Sequence, residues 1–593
     1  MILSSIKKIS VKARSTFNRF PVVMGWVFLG SFFCVYVVEM DSSSLFQEHK
    51  NTLLTLILGT SWLIGLQLLL ERTNNTKRLL WTKGCLLLLL GLFHYHLPPP
   101  TPYGADPTYM IRFFLFLLSG HLFILFSPFL QNRDNEAHWR YLGNVGTAIG
   151  RSLLFTAILY LGLVLALMAI KFLFDHQLDS KRYGQLFILC MGVANTWIFL
   201  SDFPKTLTDS SPVTFGKPME VMTKYILVPL SMLYLVILYA YGFKIIMAWE
   251  LPRGWVSNLV IILALLGFTL QALLLPLQKS NQNGFFKNFH PWFHLLMCPL
   301  IALLFLAILR RILDYGITEN RYFVLILALW ILGNTLYFLV ASKKDLRVLP
   351  ISLFLLALSA SFGPWGAFNI SKASQTAQFS KIYATVRNND LRATADSYGR
   401  LRSILHYLYE RGSLSRLDGV VGINFEQALK GSWTESNYLH HEKVLDSLRI
   451  SLDKNGTASE WDRNYHHYYG PAGNSYSDSI PGFEHFSYFR TNQVDREVGK
   501  IGKYHIEFHK IPNELILVEK RNGPPALSIP LHKKLMSLGQ YPDLNTLDTE
   551  TLQLTKENDS LYIRLVFTEL DFYQKADSVV LNNAAILLFL KRR

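Results

Sequence analysis

The chain has 593 residues, 50% hydrophobic, 14% aromatic and only 17% charged, with a formal net charge of +16. Soluble proteins carry about a quarter charged residues, so a wholly soluble chain is excluded. Residues 1–363 hold 30 Lys+Arg against 16 Asp+Glu, and residues 364–593 hold 28 against 26. The C-terminal part therefore has no cation surplus with which to neutralise phosphates, which excludes nucleic acid as its partner.

Lys7, Lys8, Lys12, Arg14 and Arg19 precede the first apolar run. They resemble the basic start of a signal peptide. The run is long and no small-x-small cleavage site follows it, so it reads as a retained membrane anchor.

Eleven apolar segments approach the ~20 residues needed to cross a ~30 Å hydrocarbon core. They lie at about 20–38, 51–70, 79–96, 109–130, 148–174, 184–201, 224–249, 255–277, 291–309, 322–341 and 346–362. The third and the eleventh are short. With the N-terminus inside, Lys and Arg favour the inner loops about two to one, which puts the N-terminus in the cytoplasm. Eleven crossings then carry the C-terminal part to the far side, the periplasm of a two-membrane bacterium.

The solvent changes at residues 361–375. Gly363, Pro364 and Gly366 stop a helix, and Phe362, Trp365 and Phe368 carry rings that settle at a membrane–water interface. Helices are expected over 368–385, 390–411 and 442–451, and an irregular, aromatic-rich stretch over 461–490. From 500 onward the pattern turns to strands. A hairpin turn is expected at Lys556-Glu-Asn-Asp-Ser560 and a buried closing strand at 584–590.

Cys34, Cys85, Cys190 and Cys298 all fall in apolar segments, and residues 364–593 contain no cysteine and hence no disulfide. The adjacent pairs His440-His441 and His466-His467 lack metal-ligand spacing. No metal or cofactor is implied.

Polar residues within apolar segments are the default functional candidates. His121, Asn195 and Asn334 are the ones to test for a mid-membrane cavity, as in a transporter. Glu39 and Asp41 follow the first helix. A carboxylate pair there could serve a glycosyltransferase-like enzyme acting on a lipid-linked substrate, as base or metal holder.

Three stretches carry a resemblance: Glu250-Leu-Pro-Arg-Gly-Trp-Val-Ser257, Glu319-Asn-Arg-Tyr322 with Trp330 beyond it, and Ser361-Phe-Gly-Pro-Trp365 with Ser371-Lys-Ala-Ser-Gln375. Together they resemble the bacterial multi-pass membrane proteins grouped as domain of unknown function 4153, most clearly over residues 223–375. The resemblance implies an integral membrane protein with an appended soluble domain, and no activity, substrate or cofactor. In physical terms the motifs are interfacial: Pro252 suits a first helical turn and Trp255 anchors at the headgroups. All three fall on the outer side, so Glu250, Arg253, Trp255, Glu319, Arg321 and Trp365 form one candidate cluster. Glu319 and Arg321 are expected to pair with Glu250 or Arg253.

The sequence thus describes a polytopic α-helical bundle (1–363) with a C-terminal soluble α+β domain (364–593) in a bacterial inner membrane. The bilayer is its first partner, with envelope proteins or lipids as partners of the C-terminal domain. The leading function is that of a non-enzymatic envelope anchoring and interaction protein, ahead of the transporter and the lipid-substrate transferase.

Overall fold

A computed structural model describes residues 2–40, 48–71, 76–98, 107–130, 134–174, 178–203, 220–248, 255–279, 284–341, 344–425, 434–435, 438–439, 444–445, 447–452, 465–469, 482–492, 496–509, 513–520, 523–539, 547–575 and 578–592. The chain folds as two compact units, Met1–Thr385 with Leu401–Leu448, and Val386–Arg400 with Arg449–Arg593.

The first unit is helical, because apolar runs in lipid must satisfy every backbone N–H and C=O internally. Its helices are α1 (Ile2–Arg19), α2 (Pro21–Glu39), α3 (Lys50–Leu70), α4 (Thr76–His96), α5 (Pro107–Phe126) and α6 (Asn135–Leu173). There follow α7 (Lys181–Ser201), α8 (Val228–Ala248), α9 (Trp255–Lys279), α10 (Gly284–Tyr315), α11 (Glu319–Val340) and α12 (Val348–Ser361). Nine helices among the described residues are long and apolar enough to cross a membrane. Two of the eleven expected segments fall outside that count. One is α4. The other is α12, whose 14 residues make about 21 Å of helix against a ~30 Å core. The protein is an integral membrane protein in its first half; the figure of eleven crossings is not supported.

Among the described residues, three apolar clusters hold this unit together, two of them large. One gathers Phe20, Met24, Leu68, Phe129 and Tyr141 from the N-terminal helices. The other gathers Val260, Leu270, Leu304 and Ile331 from α9 to α11. Small residues allow close crossings, as expected where helices share no hydrophobic drive to associate. A Cβ on Gly59 would lie 2.6 Å from the Trp26 ring, and one on Gly267 would lie 2.0 Å from the Phe293 ring. On one face of the bundle Arg19 grips Glu71 through two bonds of 2.7 and 2.8 Å. At the start of α12 the buried Arg347 donates to Phe129 O at 2.9 Å and forks onto Asp345.

Beyond the apolar part, α13 (Ala367–Asn388) and α14 (Ala395–Glu410) follow. The second of these was expected to begin at 390. Asp390 and Leu391 instead adopt φ of 52° and 60°, a left-handed turn that ends α13 and delays the next helix. Strand β1 (Arg392–Ala393) fills the gap and pairs in parallel with β2 (Ser451–Leu452). The helix expected over 442–451 is helical at Val444, Leu445 and Ser447, and Ser451 already belongs to β2.

The second unit is built on two antiparallel sheets. The strands are β3 (Tyr465–Tyr469), β4 (His485–Asn492), β5 (Arg496–Ile501), β6 (Tyr504–His509), β7 (Glu514–Val518), β8 (Pro525–Pro530), β9 (Gln553–Glu557), β10 (Leu561–Lys575) and β11 (Ser578–Arg592). One sheet runs β8-β7-β6-β5, and the other runs β9-β10-β11-β4 with β3 also paired to β10. Alternation places Tyr504, Ile506 and Phe508 of β6 inside. Ile563, Leu565, Ile586 and Leu588 of the long β10–β11 hairpin join the same core.

Candidate functional site

Where α10 ends, the chain turns through Gly316 at φ 72°, a left-handed conformation that suits glycine. A helix end leaves carbonyls unsatisfied, and here side chains take them up. Arg321 donates to Tyr315 O at 3.1 Å and to Gly316 O at 2.7 Å, with its guanidinium 5.4 Å from the Tyr315 ring. Gln375 donates to Tyr315 O and Ile317 O, both at 3.0 Å. Ile317 N donates to Ser374 Oγ at 2.8 Å, and Tyr322 OH donates to Trp365 O at 2.8 Å. The Glu319–Tyr322 motif is therefore fastened directly to Trp365, and the turn just before it, at Tyr315 and Ile317, is fastened to Ser374 and Gln375. A Cβ on Gly316 would come within 2.8 Å of Gln378 and 3.0 Å of Gln375, so the close approach requires glycine.

Glu319 occupies the first turn of α11, where a carboxylate suits the helix dipole. Its side chain is 6% exposed, and Arg411 lies 2.8 Å away with a side chain 13% exposed. The same carboxylate oxygen accepts from Tyr407 OH at 2.8 Å, and Arg411 stacks 4.0 Å over the Tyr407 ring. Lys372 donates to Arg411 O at 3.1 Å. Burial, reinforced by the Glu319 charge, pushes the Tyr407 phenol well above its ordinary value. Burial opposes the Arg411 charge, but the Glu319 bond outweighs it and raises the guanidinium further.

The turn after α12 is formed by Gly363 at φ 82°, with Asn369 donating to Gly363 O at 2.9 Å. A Cβ on Gly366 would meet Phe362 O at 2.8 Å. Arg112, near the start of α5, donates through Nε to Ser361 O at 3.1 Å and lies 5.1 Å over the Phe368 ring. Beside it opens a cleft of about 400 Å³, shaped by the end of α4, the start of α5, the end of α12 and the start of α13.

Of the six residues of the expected cluster, Glu319, Arg321 and Trp365 stand at this junction. Trp365 contributes its carbonyl, while its ring is 57% exposed. Trp255 opens α9, and Glu250 and Arg253 lie outside the described residues. The expected pairing with Glu250 or Arg253 therefore lies outside the described residues; among those described, Glu319 pairs with Arg411 and Arg321 donates to backbone carbonyls. Tyr407, Arg411 and Arg112 were missed as partners. The first two had a signal, since an aromatic and a cation four residues apart share a helix face just before Gly412, a helix stop.

The remaining candidates do not gather. His121 is exposed on α5, its Nδ1 2.8 Å from Leu117 O. Asn195 Oδ1 lies 3.5 Å from Thr156 Oγ1. Asn334 is buried and donates to Trp330 O at 2.8 Å, while its Oδ1 has no hydrogen-bond partner among the described residues. Glu39 is held by Arg182 at 2.6 Å and by Gln185 at 2.7 Å. Asp41 and the pair His440-His441 lie outside the described residues, and His466-His467 are neighbours in β3. Among the described residues, no group of three or more His, Cys, Asp or Glu could hold a metal ion.

Among known proteins, the chain is 23% identical over 384 residues to "Uncharacterized protein PM1469" of Pasteurella multocida (strain Pm70), covering 64% of this chain. The match spans 62% of that relative's own length. No solved structure matches. Residues 17–395 match the family described as domain of unknown function (DUF4153), a stretch that takes in the Glu319–Tyr322, Ser361–Trp365 and Ser371–Gln375 motifs. On that match over more than half its length, the chain belongs to the DUF4153 family.

Proposed function

We propose that this protein is a non-catalytic anchor of the bacterial inner membrane, carrying its β-rich C-terminal unit on the periplasmic side to engage envelope proteins or lipids. The observation that supports this reading is the junction itself. The side chains of the family motifs are occupied with one another and with the backbone: Glu319 with Arg411, Gln375 with the α10 carbonyls, Tyr322 with Trp365. Such groups fix a joint; they are not presented to a substrate. Nine crossings or eleven are both odd, so either number separates a cytoplasmic N-terminus from the segment that follows α12. Counted with eleven crossings, the inner-loop excess of Lys and Arg supports that orientation.

The test is a pair of C-terminal fusions in a bacterial host. Alkaline-phosphatase activity without fluorescence from a green fluorescent protein fusion is expected. Fluorescence with no phosphatase activity would reverse the orientation. Co-purification of the full chain, with identification of bound proteins and lipids, then tests the partner class.

One observation favours the transporter as a second reading: the buried Asn334 Oδ1 without a hydrogen-bond partner among the described residues. The transferase has no such support, because the Glu39 carboxylate is already engaged by Arg182 and Gln185.

A further inference from the structure

The cleft beside the junction brings basic and aromatic side chains together. Its described lining includes two basic side chains, Arg112 and Lys372, and no carboxylate. Arg112 spends only Nε on Ser361 O and makes no other hydrogen bond among the described residues, so its terminal nitrogens remain for a ligand. Lys372, whose Nζ also donates to Arg411 O at 3.1 Å, lies one helical turn beyond Phe368, the ring under Arg112, and lines the same cleft. Phe93 and Phe116 supply an apolar wall from α4 and α5. The space, about 400 Å³, is in the range of small-ligand sites. It opens where α12 ends and α5 begins, which is headgroup depth for helices of this kind.

We infer that this cleft binds the phosphate of an anionic membrane lipid, with Arg112 and Lys372 as its charge partners and the Phe93–Phe116 wall beside the acyl chain. A guanidinium matches phosphate with parallel donors, and an ammonium adds a point charge. Two cations without a carboxylate favour a net-negative lipid over a zwitterionic one. The inference rests on the membrane-anchoring reading but not on which side the junction faces, so the fusion assay and the lipid assay fail independently.

The test is native mass spectrometry of the full chain in detergent, titrated with phosphatidylglycerol, phosphatidylcholine or inorganic phosphate. Retention of phosphatidylglycerol is expected at concentrations about ten-fold lower than for phosphatidylcholine, with that preference lost in Lys372→Gln. Equal retention of the two lipids would overturn the proposal. Displacement of phosphatidylglycerol by an equal concentration of inorganic phosphate would make this a free-anion site and overturn the lipid assignment. Arg112→Gln also removes the bond to Ser361, so a photoreactive phosphatidylglycerol on the unmodified protein provides the second readout. Crosslinks are expected on residues 107–116 and 362–372. Crosslinks confined to other helices would overturn the site.

Discussion

Glu319 and Arg411 lie 92 residues apart in sequence and 2.8 Å apart in space, with side chains 6% and 13% exposed. The pair ties the start of a membrane helix to the end of a helix that the sequence assigns to the water-soluble part. Removing one partner leaves the other as a buried, uncompensated charge. Glu319→Gln is therefore expected to destabilise the first unit by about 3–5 kcal/mol. Thermal unfolding in detergent measures it, and loss of trypsin resistance around 401–425 should accompany it.

Tyr407 donates to the same carboxylate. A hydrogen bond to a charged acceptor is worth about 1.5–3 kcal/mol, the loss expected for Tyr407→Phe. The phenol is raised above its ordinary value of 10.0, so it folds better protonated than ionised. Its contribution is fully present below that ordinary value and is lost as pH rises from there toward the raised one. Unfolding midpoints recorded above pH 10 should fall more steeply for the natural protein than for Tyr407→Phe.

Gly316 is left-handed, and a Cβ there would press on Gln378, Gln375 and Ser374. Gly316→Ala is expected to cost about 1–2 kcal/mol from backbone strain alone. The added crowding should also weaken the Gln375 bonds to Tyr315 and Ile317. Hydrogen exchange should then rise at Ile317, whose N–H is bonded to Ser374, while β6 and β10 stay protected.

Asp345 and Arg347 anchor the start of α12. Burial alone would raise the Asp345 carboxyl, but the bonds from Arg347 outweigh it and hold its pKa below the ordinary value of 3.8. The stability it contributes is present above that value and is lost as pH falls through the lower, folded one. Acid unfolding should therefore begin at higher pH in Arg347→Gln, which also abandons Phe129 O. A titration of midpoint against pH from 6 down to 3 checks the direction.

Gly267 crosses α9 over the Phe293 ring. Gly267→Ala forces the buried ring aside and is expected to cost about 1–3 kcal/mol as overpacking. Phe293→Leu in the same chain should recover part of the loss. Additive losses in the double variant would mean that the two positions do not meet.

The membrane helices were legible because lipid permits few alternatives: a long apolar run must close its own hydrogen bonds. The hairpin at Asn558 was legible too, since polar turn residues separate two alternating runs; Asn558 N donates to Leu561 O at 2.9 Å across it. The short α12 was legible as well, since the apolar run ends at the Gly363–Pro364 stop and the helix spans Val348–Ser361. Arg411 as a partner of Glu319 was not legible in the sequence. Local motifs can report that a charge sits at an interface, but the choice between Arg253, nearby in the motif pattern, and Arg411, at the end of α14, is a matter of tertiary contact. The Arg112–Ser361 bond spans 249 residues and left no periodic trace at all.

The most direct test of the joint is a double-mutant cycle on Glu319→Gln and Arg411→Gln, with unfolding of the full chain measured in one detergent. If the two side chains form the buried pair that fastens α11 to α14, each single variant loses stability and the double variant loses much less than their sum, with a coupling of about 2 kcal/mol or more. Losses that add to within about 0.5 kcal/mol would contradict it.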